Sequence, residues 1–144
     1  DLIGRKTIKC NGEFIAEYIA EIRDFANGLD ADLNFIKDAT LDAATEVESV
    51  TQYVLNAAKE NVDFPNAAAV DYLHAVGLLS FSYMFARIAN AAKQKDGEFY
   101  QNKLSLALYF VQRILPELAL RITKVKAGAE VVMNFSEDYF TSQA

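Results

Sequence analysis

One apolar segment, AVDYLHAVGLLSFSYMFARIANAAKQ at residues 69–94, constrains the fold of this chain more than any other. It reads as a single helix that is apolar on most of its circumference. A stripe at helical spacing comprises Leu73, Val76, Leu79, Tyr83 and Ile88, and its flanks carry Val70, Leu78, Phe81, Met84 and Phe85. A helix that is apolar nearly all round has to be covered by neighbours. The segment therefore predicts the central helix of an all-α domain.

The same segment raises the alternative of a membrane span. Residues 72–86 contain no formal charge, and Asp71 and Arg87 bound them. That run is shorter than the ~20 residues that a bilayer requires. Polar or flexible residues also interrupt it, namely His74, Gly77, Ser80 and Ser82. We therefore reject a span and expect a buried helix.

Composition supports one compact helical domain over residues 1–144. Apolar residues make up 52% of the chain, which has only two prolines. This excludes a disordered chain. The net charge of −6 argues against a nucleic-acid partner. Cys10 is the only cysteine, so we expect a reducing, cytoplasmic compartment. The chain opens on Asp1 without a Met, as if it were cut from a longer protein.

Turn signals divide the chain into helices. Residues 1–10 lack a helical period and are expected to form an extended lead-in. Asn11 is predicted to cap a first helix that ends near Asn27. Residues 29–38 have a weaker helical pattern, which suits a short helix or the start of the second helix. Thr40 is predicted to cap that second helix, which ends near Asn61. Residues 61–66 form the clearest break, because Pro65 suits the first turn of the next helix.

A fourth helix is predicted from Glu98 to about Ala127. Pro116 lies inside it, so we expect a kink near residues 112–115, after which the helix resumes. Its predicted core positions are Phe99 or Tyr100, Leu104, Ala107, Leu108, Val111, Ile114, Leu115, Leu118 and Ile122. Four long helices with short connections predict an antiparallel up-down-up-down four-helix bundle over residues 11–128. The apolar tail at residues 129–144 is expected to dock on the bundle or a partner subunit, with Ser136 capping a short last turn over residues 137–140.

Candidate chemistry is sparse. His74 is the only histidine, and Asp71 precedes it by one helical turn. A helical di-iron site needs two histidines, so we predict a core or interface histidine held by Asp71. The acidic row of Glu13, Glu17, Glu21 and Asp24 predicts a solvated helix face. Cys10 is expected to be inert, and Gly-rich phosphate loops are absent. No catalytic, cofactor-binding or metal-binding residue is assigned.

Several short motifs resemble bacterial acyl-CoA dehydrogenases that carry an extra C-terminal domain. DLIGRK at residues 1–6 is similar to a D-L-x-G-R-K segment that follows the catalytic portion of that family. FYQNKL at residues 99–104, LPE at 115–117 and AGAE at 127–130 resemble patterns of its last long helix. YLHAVG at residues 72–77 resembles another of its helices. The resemblance extends over nearly the whole chain.

The resemblance implies a parent flavoenzyme in which FAD and a glutamate base oxidise an acyl-CoA thioester. The family's Y-E-G-T motif, which holds that glutamate, does not occur here. We therefore expect a C-terminal extension that is not catalytic by itself, packs on the catalytic body of the parent and contributes to a homo-oligomer. The alternative is a free-standing helical module for protein–protein interaction.

Overall fold

The computed structural model describes residues 2–136 and 138–139, and it confirms an all-α fold. Those residues contain no strand. The α-helices are α1 (Glu13–Asn27), α2 (Asn34–Glu60), α3 (Phe64–Ala92), α4 (Glu98–Tyr109), α5 (Glu117–Lys126) and α6 (Glu130–Met133). Two π-helical segments, Leu2–Ile8 and Phe110–Ile114, and one 3-10 turn, Ala31–Leu33, complete the set.

Helix α3 lies at the centre of the packing, where it contacts α2, α4 and α5, while α1 packs on α2. Buried polar pairs join α2 to α3. Thr40 Oγ1 lies 2.7 Å from Ser82 Oγ, and Thr51 Oγ1 lies 2.9 Å from the Tyr72 hydroxyl. The rings of Phe85 and Phe110 stack with centroids 4.6 Å apart and join α3 to the helical segment that follows α4. The core therefore extends on either side of α3.

The N-terminal segment corrects the prediction of an extended lead-in, because residues 2–8 form a π-helix. Ile3 and Thr7, four residues apart, are both buried against the bundle. The Thr7 hydroxyl donates to the Leu2 carbonyl at 3.1 Å, which stabilises the turn locally. Seven residues in a wide helical turn are too few to display a 3.6-residue period, so the pattern was hidden in the sequence.

Both predicted N-caps are wrong. Helix α1 begins after Gly12, whose φ of 80° lies in the left-handed region, and Asn11 also has a positive φ of 48°. The chain thus turns sharply before α1, without a side-chain cap. Helix α2 begins six residues before Thr40, which is buried and bonded to Ser82 instead. Tertiary burial of its hydroxyl has replaced the local capping role.

Both prolines lie where the helical backbone changes, and a π-helix is found where a kink was predicted before Pro116. Pro65 lies in the first turn of α3. Before Pro116, the backbone widens into the π-helix Phe110–Ile114, and the amide of Leu115 donates to the Phe110 carbonyl at 2.9 Å. Helix then resumes as α5. The wider turn accommodates a ring that lacks an N–H and would crowd a regular helix.

The same π-helix changes which residues of this region are buried. Phe110, absent from the predicted core, is 1% exposed, whereas the predicted core residue Ile114 is exposed. A π turn carries one more residue than an α turn, so the apolar pattern shifts round the helix axis. Leu108 and Phe99, which precede the π turn, are exposed as well, the latter as one alternative of the Phe99 or Tyr100 prediction. Ala107, Leu115 and Leu118 are buried as predicted, and Leu104, Val111 and Ile122 are partly buried.

The apolar side chains of the described C-terminal segment lie on the surface, and the docking of residues 129–144 stays a prediction. Val131, Val132, Met133 and Phe135 are exposed, although Ala129 just before them is buried. The Phe135 and Tyr139 rings contact each other with centroids 5.5 Å apart. The predicted turn after Ser136 includes residues 137 and 140, which lie outside the described residues.

Candidate interaction surface

The inner face of α3 is formed by small and aromatic residues that lie against α2. Ala68, Ala75, Ala86 and Ala89 are nearly inaccessible to solvent, and so is Leu79. Alanines at helical spacing let two helix backbones approach closely. This face therefore belongs to the core.

The outer face of α3 corrects the prediction that neighbours cover this helix all round. Its exposed apolar side chains follow steps of three and four residues, as one helical stripe does. We define the α3 stripe as Val70, Leu73, Gly77, Phe81, Met84 and Ile88. Phe81 is 58% exposed and Leu73 is 53% exposed. Leu73 and Ile88 were assigned to the core from the sequence, and the structure places both on this outer face.

The α3 stripe has a notch at its middle and charged residues beyond its ends; those at the C-terminal end are Lys93, which pairs with Asp30, Lys95 and Asp96. A Cβ atom built on Gly77 would meet no atom within 4 Å, so the notch is open to solvent. Asp63 precedes the first turn of α3, and Lys95 follows its last turn. Between them the stripe carries no formal charge. Contiguous exposed apolar surface of this kind marks an interaction site.

A groove adjoins the N-terminal half of the stripe. It lies between the π-helix at residues 2–8 and α3, with a volume of about 340 Å³. Leu2, Ile3 and Gly4 form one wall, and the other wall includes Val70 and Leu73. The stripe and the groove thus form one continuous apolar surface.

A hydroxyl network behind this surface holds the π-helix in place. The Tyr72 hydroxyl lies 2.9 Å from Thr51 Oγ1 and 3.3 Å from Thr7 Oγ1. Thr51 in turn donates to the Val47 carbonyl at 2.7 Å. Burial raises the pKa of Tyr72, and its two threonine partners oppose that rise. The network therefore links the N-terminal segment to α2 and α3 through one neutral phenol.

His74 is exposed, which rules out the core alternative of its prediction and leaves the interface alternative as a prediction. Asp71 pairs instead with Arg121 on α5, with Nη1 and Oδ1 3.0 Å apart. One helical turn separates Asp71 from His74 in sequence, but the carboxylate turns towards α5. Arg121 also lies 3.9 Å from the carboxylate of Glu117, one helical turn before it on α5.

Other predicted features show no catalytic geometry. Glu13, Glu17, Glu21 and Asp24 are exposed as predicted, and Glu21 accepts a hydrogen bond from the Tyr83 hydroxyl at 2.9 Å. Across residues 2–136 and 138–139, no cluster of three or more His, Cys, Asp or Glu residues is arranged to hold a metal ion. The helices of that same part of the chain are too short or too polar to cross a membrane.

Cys10 lies in a basic surface groove of about 520 Å³ with Arg5, Lys6 and Lys9. Its thiol faces the Arg5 carbonyl at 3.7 Å. The three cations and Phe14 are all exposed, so the groove does not enclose a ligand. A flavin site has to cover an apolar ring system and present converging donors to a pyrophosphate. This groove does not fit FAD, and no step of flavin chemistry is assigned to its residues.

The sequence comparisons agree with the helical fold. The family described as acetyl-CoA dehydrogenase C-terminal like matches residues 18–136, which is most of the chain. A search of the curated proteins finds no match. The matched region begins on α1 and extends past α6, so it includes all of the α3 stripe. The chain therefore belongs to this family of acyl-CoA dehydrogenase C-terminal domains, as its motifs predicted.

Proposed function

We propose that this chain is the non-catalytic C-terminal extension of an FAD-dependent acyl-CoA dehydrogenase. It packs on the catalytic body of the parent chain and contributes to dimerisation. The family match over residues 18–136 carries this proposal. In the parent, FAD would bind outside these residues and supply the redox chemistry of fatty-acid metabolism. A single cysteine suits a reducing, cytoplasmic compartment.

Within the extension, we infer an up-down-up-down arrangement of the four long helical segments. The order of the cross-helix contacts supports it. Thr40 meets Ser82 while Thr51 meets Tyr72, so residue numbers rise on α2 as they fall on α3. Asp71–Arg121 and Phe85–Phe110 run in the same opposed sense between α3 and the last helical segment.

Two exposed apolar regions support a packing role. They are the α3 stripe and the exposed C-terminal segment at residues 131–135. They project from a domain that already buries two apolar clusters of its own. Surface of this kind is covered in a larger assembly. The extension would then add buried area between the catalytic body and a second subunit.

Expression of the complete parent reading frame, with and without these 144 residues, tests the proposal. We expect the complete protein to show flavin absorption and acyl-CoA-dependent dye reduction, and the isolated extension to show neither. We expect the truncated protein to keep its flavin but to lose thermal stability or subunit association. A complete protein without flavin would contradict the proposal.

The alternative is a free-standing interaction module, which the helical spacing of the α3 stripe favours. Exposed side chains at such spacing suit recognition of a partner helix. Isolation of the native chain from cell extract distinguishes the two proposals. A stable product consisting of these 144 residues alone would favour the module, and a longer flavoprotein would favour the extension.

A further inference from the structure

We propose that the α3 stripe binds a second copy of itself, with the two α3 helices antiparallel about a two-fold axis near residue 79. This deepens the dimerisation part of the proposed function and rests on it. The argument depends on the order of large, small and charged residues along α3. A two-fold contact uses the same surface on both copies, so that surface has to complement itself.

The apolar residues of the stripe are arranged symmetrically about its midpoint. In the proposed register, Val70 faces Ile88 of the second copy, Leu73 faces Met84 and Gly77 faces Phe81. These three pairs share a midpoint at residue 79 to within half a residue. The central pair joins the open notch at Gly77 to the exposed Phe81 ring. A large side chain then enters the space above a residue without a side chain, once on each side of the axis.

The charges at the two ends of α3 follow the same symmetry. Asp63 and Lys95 also have their midpoint at residue 79. Antiparallel packing places the carboxylate of one copy near the ammonium group of the other, at both ends of the contact. It also aligns the two helix dipoles favourably. A parallel arrangement would bring Asp63 close to Asp63 and Lys95 close to Lys95.

The groove beside the stripe extends the contact. It lies next to Val70 and Leu73, which the proposed register places opposite Ile88 and Met84. Leu2 and Ile3 line its far wall, so the N-terminal π-helix would contact the second copy as well. The hydroxyl network around Tyr72 holds that wall against α3 before any partner arrives.

The size of the stripe sets the expected strength. At 1.5 Å per residue it is about 27 Å long, and a helix is about 10 Å wide, which gives a face of roughly 300 Å² per copy. A stable interface buries about 800 Å² per partner. The stripe pair is therefore one part of a larger subunit interface, and we expect it to act together with other contacts of the parent protein.

Disulfide cross-linking in the complete parent protein tests the register. The double variant Leu73→Cys/Met84→Cys places the two thiols opposite each other between copies. Within one α3 they are about 16 Å apart along the axis, too far for a disulfide. We expect mild oxidation to give a covalent dimer from the double variant only. The two single variants control for Cys10 and any other native cysteine.

Absence of a cross-link from protein that sediments as a dimer would overturn the proposal. So would equal cross-linking of the single variants, or a parent that stays monomeric at high concentration. Flavin absorption is recorded on the same samples. A yellow, active protein without the cross-link would contradict only the proposed stripe contact. A cross-linked protein without flavin would contradict the proposed function of the parent.

A charge substitution tests whether a second copy or the catalytic body covers the α3 stripe. Leu73→Glu places a carboxylate in the stripe, and Leu120→Glu is a matched control on the outer side of α5, since the two leucines are 53% and 52% exposed. In sedimentation equilibrium we expect Leu73→Glu to weaken self-association about tenfold and Leu120→Glu to leave it unchanged. If Leu73→Glu instead lowers the thermal stability of the parent and leaves association unchanged, the stripe binds the catalytic body and the proposal is wrong.

A charge swap tests the ends of the contact. Lys95→Glu should weaken association, and Asp63→Lys/Lys95→Glu should restore it. The contact between the Lys95 ammonium and the Tyr100 ring is lost in both variants, so its loss does not explain a recovery. Equal weakening in the single and double variants would contradict the antiparallel pairing.

Discussion

The two faces of α3 are similar in hydrophobicity and opposite in exposure. The inner face carries alanines, with Tyr72 and Leu79 between them, and it is almost free of solvent contact. The outer face carries the larger side chains of Phe81, Met84 and Ile88, and it is exposed. The comparison shows that hydrophobicity alone does not decide which side of this helix enters the core. The buried side is the one on which α2, α4 and α5 pack, and the outer side remains available for another partner.

The largest expected difference between the faces concerns two leucines of α3. Leu79→Ala removes a fully buried side chain and should lower the free energy of unfolding by about 2–5 kcal/mol. Leu73→Ala, the matched change on the stripe, should alter it by no more than about 0.5 kcal/mol. Urea unfolding followed by circular dichroism measures both. Similar losses would mean that the stripe is covered within the single chain, and the comparison would fail.

A smaller effect is expected from the hydroxyl network of the inner face. Tyr72→Phe removes the bonds to Thr7 and Thr51 and should lower the free energy of unfolding by about 1 kcal/mol. Burial raises the pKa of Tyr72 in the folded chain. The contribution of the Tyr72 hydroxyl to stability is thus complete below pH 10.0, the ordinary pKa of a tyrosine, and is lost as pH rises above that value.

Unfolding of Tyr72→Phe and of the native chain at several pH values up to about 11 checks that sign. The native chain should lose more stability than the variant over the alkaline part of the range. Tyr83, whose pKa is also raised by burial, stays in both proteins and provides the common background. Parallel curves would show that the Tyr72 hydroxyl ionises as easily in the folded chain as in the unfolded one.

The notch of the outer face predicts effects of opposite sign. Gly77→Ala should stabilise the single chain by about 0.5–1 kcal/mol, because alanine restricts the unfolded chain and the new Cβ meets no neighbouring atom. The same methyl group fills the space assigned to Phe81 of a second copy. Thermal unfolding at low concentration and sedimentation of the parent measure the two effects. If the variant is more stable and associates as well as the native protein, Phe81 of a second copy does not occupy the notch at Gly77.

The smallest effect is expected on the surface between α1 and α2, away from both faces of α3. Arg23 Nη2 and Glu48 Oε2 are 2.8 Å apart, and the Arg23 hydrogen bond lowers the pKa of Glu48. The pair stabilises the fold above pH 4.5, the ordinary pKa of a glutamate, and its contribution is lost as pH falls. Glu48→Gln should cost about 0.2–1 kcal/mol at neutral pH and less in acid. A loss as large as that of Leu79→Ala would mean that surface pairs rival the core.

Local signals predicted the helices better than they predicted their faces. Pro65 and Pro116 act on their own backbone, so their effects at the start of α3 and before α5 could be read directly. The faces depend on neighbours. Phe110 enters the core because a π turn shifts the pattern, and Leu73 lies outside it because α2, α4 and α5 pack on the other sides of α3. A row of alanines at helical spacing was the available signal, since it marks close packing even where larger apolar residues lie opposite.

The surface could be predicted only in outline. The apolar segment at residues 69–94 was recognised, but exposure of its outer side depends on where α2, α4 and α5 lie. Asp71 was assigned to His74 by sequence distance, and a long-range partner, Arg121, took it instead. The π-helix at residues 2–8, which forms one wall of the groove, is too short to leave a periodic pattern.

The π-helix before Pro116 has a consequence for chain length among relatives. Phe110 stacks on Phe85 and Leu118 enters the core, and seven residues separate them through the widened turn. A relative with a regular helix there would reach the same two contacts with one residue fewer. If it kept all seven, α5 would rotate by about 100° and turn Arg121 away from Asp71. The number of residues between these two positions, counted in relatives with and without the proline, would therefore reveal which form of the helix each one has.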